Sequence, residues 1–139
     1  MDIWSEIKSK ILFSYLGCDW TSTRVSETSV EDIKTALNEV VSLVEKETNS
    51  IYTFEVAQVT VAFYTNSDQH LDFDPKDIVS INQWTLFLDF FKILSKKLNG
   101  EILFRPEDSD YESKESVLVL ISGNDVVYNF DIKAGYDDD

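Results

Sequence analysis

The stretch Ile51-Tyr52-Thr53-Phe54-Glu55-Val56-Ala57-Gln58-Val59-Thr60-Val61-Ala62-Phe63-Tyr64-Thr65 decides the fold. It is rich in β-branched and aromatic residues and alternates with period two, as a strand with one buried face does. Its apolar set occupies even positions at Tyr52, Phe54 and Val56, then odd positions at Val59, Val61 and Phe63. A shift of one residue sends every side chain to the other face of a sheet. A bulge, or a turn at Ala57-Gln58 that splits the run in two, would explain the switch.

On the N-terminal side the period is helical. Ile3, Ile7, Ile11 and Tyr15 recur four apart with Trp4 and Leu12 beside them, which predicts a helix over residues 2–16 with Gly17 as a left-handed cap. A polar stretch from Cys18 to Glu27 leads to Thr28-Ser29-Val30-Glu31, a Thr-x-x-Glu capping box. Val30, Ile33, Leu37, Val40, Val41 and Val44 then repeat at helical spacing, and Asn49-Ser50 reads as the stop of a second helix.

On the C-terminal side residues 66–78 read as an acidic loop. Ser80-Ile81-Asn82-Gln83 follows as a second capping box, with Val79 and Trp84 placed as a hydrophobic staple. The helix it starts runs to about Leu98 and stops at Asn99-Gly100. Its apolar arc through Ile81, Trp84, Phe87, Leu88, Phe91, Ile93, Leu94 and Leu98 is wide enough to suggest burial on more than one side. Strands are expected at 101–105, 116–122 and 126–132, the last two joined at Gly123-Asn124 as a hairpin. With Ser122 opposite Asp125, Ile121 meets Val126, Val119 meets Tyr128 and Val117 meets Phe130. The expected architecture is one α+β domain over residues 1–139, a mainly antiparallel sheet of about four to five strands packed on three helices, with a C-terminal β-hairpin.

Twenty-six acids against twelve bases give a formal charge of −14, and residues 101–139 hold eleven acids and three bases. Such a chain repels nucleic acid and anionic lipid, so its expected partner is a protein. The one cysteine, Cys18, rules out an internal disulfide and fits a reducing compartment, hence the cytoplasm. No apolar run approaches the roughly 20 residues that cross a bilayer.

Catalytic constellations are thin. A nucleophilic triad would need Cys18 or a serine beside the one histidine, His70, and a thiol just past a helix C-terminus is poorly activated. Asp68, His70, Asp72, Asp74 and Asp77 are hard ligands close in sequence, but the turn glycine and terminal glutamate of a calcium loop are missing and Pro75 interrupts the run. A solvated loop is the plainer reading. No enzyme activity, cofactor or metal is expected. The aromatic run Trp84, Phe87, Phe90, Phe91 at helical spacing is read as core; the alternative is a ligand cavity lined by Trp84, Phe87 and Tyr128. Asp108, Asp110, Tyr111 and Glu112 form an acidic segment with one aromatic anchor. With Asp72 and Asp74 as a second patch, they are the candidate contacts for a basic protein.

The stretch from Trp84 through Phe91 and Leu94, into Glu101-Ile102-Leu103 and on to Glu107, resembles a pattern in bacterial immunity proteins of polymorphic and contact-dependent toxin systems. There an aromatic-rich helix ends in a short cap, an E-x-L strand follows, and an acidic loop precedes a terminal β-hairpin. The resemblance covers about residues 80–132. It implies a small cytoplasmic inhibitor that binds its cognate toxin and blocks the active site or the approach of substrate, and the charge of −14 makes a basic, nuclease-type toxin the expected one. The alternatives are an adaptor docking through an apolar face or strand edge, and a small-molecule binder.

Overall fold

The computed structural model describes residues 3–12, 16–22, 30–45, 51–64, 70–106 and 118–130. Three helices, α1 (Ile3–Lys10), α2 (Val30–Val40) and α3 (Ile81–Leu98), accompany eight strands. These are β1 (Leu16–Ser22), β2 (Val44–Glu45), β3 (Ile51–Val56), β4 (Val59–Tyr64), β5 (His70–Phe73), β6 (Gly100–Pro106), β7 (Val119–Ser122) and β8 (Asp125–Tyr128). The strands form one sheet in the order β2-β3-β4-β5-β1-β6-β7-β8, and every pairing is antiparallel. The α+β class, the antiparallel sheet, the three helices and the terminal hairpin are as expected. Among the described residues the strands number eight rather than four to five.

The parity switch in the 51–65 run is a turn. Ala57 (φ 51°) and Gln58 (φ 70°) both lie in the left-handed region, so β3 folds back on β4 through two residues with the positive φ values of a type I′ turn. Phe54 pairs with Val61 and Tyr52 with Phe63, so the even set of β3 and the odd set of β4 share one face. The second hairpin has Ser122↔Asp125, Ile121↔Val126 and Val119↔Tyr128, the expected register, while Val117 lies outside the described residues. Gly123 carries the positive φ (61°) that this turn needs at its first central position.

Three expectations are corrected. The first helix ends at Lys10, and Leu16–Ser22, taken as a helix end and a polar stretch, is β1, paired along all seven residues with β6. Gly17 is therefore a strand residue and not a helix cap. The second helix stops at Val40, and Val44 lies in the two-residue strand β2. The acidic loop 66–78 contains a strand, because His70–Phe73 bridges β4 and β1. Its Leu71 and Phe73 are buried at alternating positions, a pattern too short to stand out among its aspartates.

The helices cover one face of the sheet. Trp84, Phe87, Phe91 and Leu94 of α3 pack with Ile7, Ile11, Ile33 and Leu37 of the N-terminal half and with the inward residues of the strands. Aromatic rings run through this core, with centroid distances of 4.6 Å for Phe73–Phe87, 5.0 Å for Phe87–Phe91 and 5.2 Å for Phe91–Phe104. Such tilted and edge-on pairs add to area burial because the ring edge of one meets the negative face of the other.

The ends of α3 are tied to the rest of the fold. Ser80 caps the helix by accepting from the Gln83 N–H at 3.1 Å. The capping box is closed one residue early: Gln83 Oε1 accepts from Val79 N–H at 2.7 Å, while its Nε2 donates to Ala57 O (2.7 Å) and Asp77 O (2.8 Å). One side chain thus fixes the start of α3 to the β3–β4 turn. The expected Val79 staple is absent, since Val79 is 73% exposed and Ile78 is the residue buried there. At the other end Asn99 is left-handed (φ 55°), and the buried Ser95 hydroxyl donates to Gly100 O (2.6 Å) and accepts from Gly123 N–H (2.9 Å).

Candidate functional site

Of the residues that the sequence nominated for partner contact, Asp108, Asp110, Tyr111 and Glu112 lie outside the described residues. Asp72 is a β5 residue, in register with Ala62 on one side and Gly17 on the other. Asp74 follows the strand and caps the 3-10 turn Pro75–Asp77, its carboxylate accepting from Lys76 N–H at 2.9 Å. The structure therefore gives Asp74 a local structural task and brings Asp72 into the sheet, where both had been read as loop residues.

Cys18 sits in β1 opposite Leu71 and not beyond a helix end, so the helix-dipole argument about its thiol does not apply. His70 is opposite Tyr64 on β4. Among the described residues no three of His, Cys, Asp and Glu converge where they could hold a metal ion. Trp84 and Phe87 are core residues, as read from their helical spacing, and Tyr128 packs against that core. Trp84 stacks on Phe87 at 5.9 Å and meets Phe104 edge-on, and its indole N–H donates to the Tyr128 hydroxyl at 2.8 Å. Burial pushes the Tyr128 hydroxyl above its ordinary pKa, and the Trp84 bond partly offsets that.

Two surfaces remain that sequence reasoning did not place. The first is on α3, where Leu86 is 60% and Ile93 45% exposed, seven residues apart on the outward face with Asp89 between them. The expectation that this helix is buried on more than one side is corrected: it packs on one side, and Ile81 and Ile93 face solvent. The second is a groove of about 900 Å³ where the C-terminus of α2 meets the β2–β3 edge. Asn38, Val41, Ser42, Val44, Thr53 and Glu55 line it.

The spacing of α2 over that edge is set beside the groove. Lys34 Nζ donates to the Tyr52 hydroxyl at 3.0 Å and lies 4.6 Å from the ring centroid. That hydrogen bond raises the Lys34 pKa above its ordinary value. Lys34 and Asn38 are one helical turn apart, so the tether is next to the groove. A short two-residue strand with an acidic partner residue is a usual way to blunt a sheet edge, and β2 (Val44, Glu45) has that form.

No helix among the described residues is long and apolar enough to cross a membrane. Comparison of the chain with known protein families, curated proteins and solved structures finds no match.

Proposed function

We propose that this chain is an acidic cytoplasmic binding protein that inhibits a basic protein partner, as an immunity protein inhibits a nuclease-type toxin. The observation that carries the reading is the formal charge of −14 on 139 residues. A basic surface built to hold phosphate attracts such a chain at long range, and association is fast and salt-sensitive. Exposed Glu31, Glu39, Glu45, Glu55, Asp77, Asp89 and Asp125 spread that charge over helices, strands and turns of the described surface. Inhibition of this kind requires occlusion alone and no chemistry from the chain.

The contact assigned to Asp108, Asp110, Tyr111 and Glu112, with Asp72 and Asp74 as a second patch, belongs to this proposal. The test is capture of the partner at low salt and at about 0.5 M salt, where the Debye length falls to roughly 4 Å. The captured nuclease is then assayed with and without the chain. Stoichiometric inhibition, with association slowed by salt and by the combined Asp108→Lys, Asp110→Lys, Glu112→Lys variant, supports the reading. A partner bound equally at both salts, with its activity untouched, refutes it.

A second reading, an adaptor that docks through an apolar face, is favoured by one observation: Leu86 and Ile93 stand exposed at the centre of the outward face of α3. Its partner would be indifferent to salt.

A further inference from the structure

The two-residue turn at Ala57-Gln58 makes Val56 and Val59 a pair that exchanges both backbone hydrogen bonds, and the antiparallel ladder then alternates. Tyr52, Phe54 and Val56 direct their N–H and C=O groups to β4. Ile51, Thr53 and Glu55 direct theirs to the opposite edge. There β2 takes up Thr53 through Val44, and the ladder ends at that residue, because Ser42 and Leu43 run outside any strand. The backbone N–H and C=O of Glu55 therefore open into the groove, with no strand among the described residues opposite them.

The negative field of this notch comes from the end of α2 and from Glu55. α2 ends at Val40 with no basic residue in its last turn, so the partial negative charge of its C-terminal carbonyls is uncompensated from within the helix. The exposed Glu55 carboxylate lines the same groove, and exposed Glu45 belongs to the strand that flanks it, while Glu39 in the last turn of α2 is paired with Lys97 at 2.7 Å. The nearest cation of α2, Lys34, is engaged with Tyr52.

A donor and an acceptor on one outward residue match one residue of an extended strand. A negative field around them selects a cationic side chain and rejects an acidic one. We propose that the notch between α2 and β3 receives an extended segment of a protein partner, paired through the Glu55 backbone and carrying a Lys or Arg that meets Glu55 and the C-terminus of α2. This names a docking point for the basic partner inferred above and rests on that reading.

The test uses the full ¹⁵N-labelled chain and two capped peptides, Thr-Lys-Val-Arg-Thr and Thr-Glu-Val-Glu-Thr. In the free chain the Glu55 amide is expected to exchange with solvent about tenfold faster than the β4-paired amides of Phe54 and Val56. The basic peptide shifts the Glu55, Asn38 and Ser42 amides and slows Glu55 exchange, and the acidic peptide leaves them unmoved. Glu55→Lys weakens the basic peptide about fivefold while the melting temperature stays within a degree or so. Slow Glu55 exchange in the free chain, or equal shifts with both peptides, overturns the proposal. Basic-peptide shifts confined to other acidic surfaces overturn the notch and leave the charge-steered inhibitor standing. A salt-indifferent partner in the capture experiment removes the inhibitor reading, whatever Glu55 does.

Discussion

Replacing Ala57-Gln58 by Asn-Gly is expected to stabilise the protein. Both residues are held at positive φ, 51° and 70°, where an L side chain pays roughly 1–2 kcal/mol per residue for the approach of Cβ to its own carbonyl. Asparagine tolerates that region and glycine has no Cβ to strain, so most of the two penalties is relieved. Glycine's extra freedom in the unfolded chain returns about 0.5–1 kcal/mol of the gain. The tie from Gln83 survives, because it ends on the backbone oxygen of residue 57 and not on a side chain. The net expectation is about 1–2 kcal/mol. At an unfolding entropy of roughly 2.1 cal/mol/K per residue, that raises the melting temperature by about 3–7 °C. Circular dichroism against temperature and against urea measures it, with an unchanged denaturant slope showing that the effect is on stability. The complementary change Gln58→Val places a β-branched residue at positive φ and lowers the midpoint. An unchanged or lower midpoint for the Asn-Gly variant would refute the two-residue turn and with it the ladder parity that opens Glu55 to the groove.

Other outcomes follow from side chains that join distant segments. Gln83→Ala removes three hydrogen bonds between the start of α3, Asp77 and the β3–β4 turn, and costs about 2 kcal/mol by urea unfolding. Ser95→Ala leaves the Gly123 N–H and the Gly100 carbonyl without their buried partner and costs about 1–3 kcal/mol in the same assay. Because the folded pKa of Tyr128 is raised, the folded state holds a proton that the unfolded state releases. Its contribution is therefore whole below the ordinary tyrosine value of about 10 and is lost as pH rises above it. Tyr128→Phe should flatten that alkaline loss in melts taken between about pH 9 and 11.5, and an identical slope would count against the buried phenol. Leu86→Lys with Ile93→Lys should leave stability within about 0.5 kcal/mol, since both residues already face water. Loss of partner binding in that variant would move weight to the adaptor.

The legible parts of the fold were those whose signal is local. The Ser80 cap, the Asn99 stop, the Gly123 turn and the register Ile121↔Val126 each depend on a few adjacent residues, and each is found. The parity switch between Val56 and Val59 announced a break, and the turn is there. The misread parts were short strands next to stronger patterns. Leu16, Cys18 and Trp20 alternate with Gly17, Asp19 and Thr21, a strand signal hidden by the helical spacing that runs through Ile11 and Tyr15. Leu71 and Phe73 were masked in the same way by flanking aspartates.

The acidic loop that the sequence put forward as the contact, Asp108 to Glu112, could be nominated from composition alone, because charge needs no geometry to be counted. The groove could not be nominated in that way. Asn38, Ser42, Thr53 and Glu55 are ordinary polar residues in sequence and become neighbours only because α2 stops over the edge of β3. The same holds for the exposure of Leu86 and Ile93: helical periodicity states which residues share a face, and only packing states which face is covered. The sequence by itself determined the class, the charge and the local stops and turns, since these follow from residue type and nearest neighbours. Tertiary structure alone decided the eight-strand order and the open edge at Glu55, because pairing between distant strands is chosen by how the whole apolar surface is buried at once.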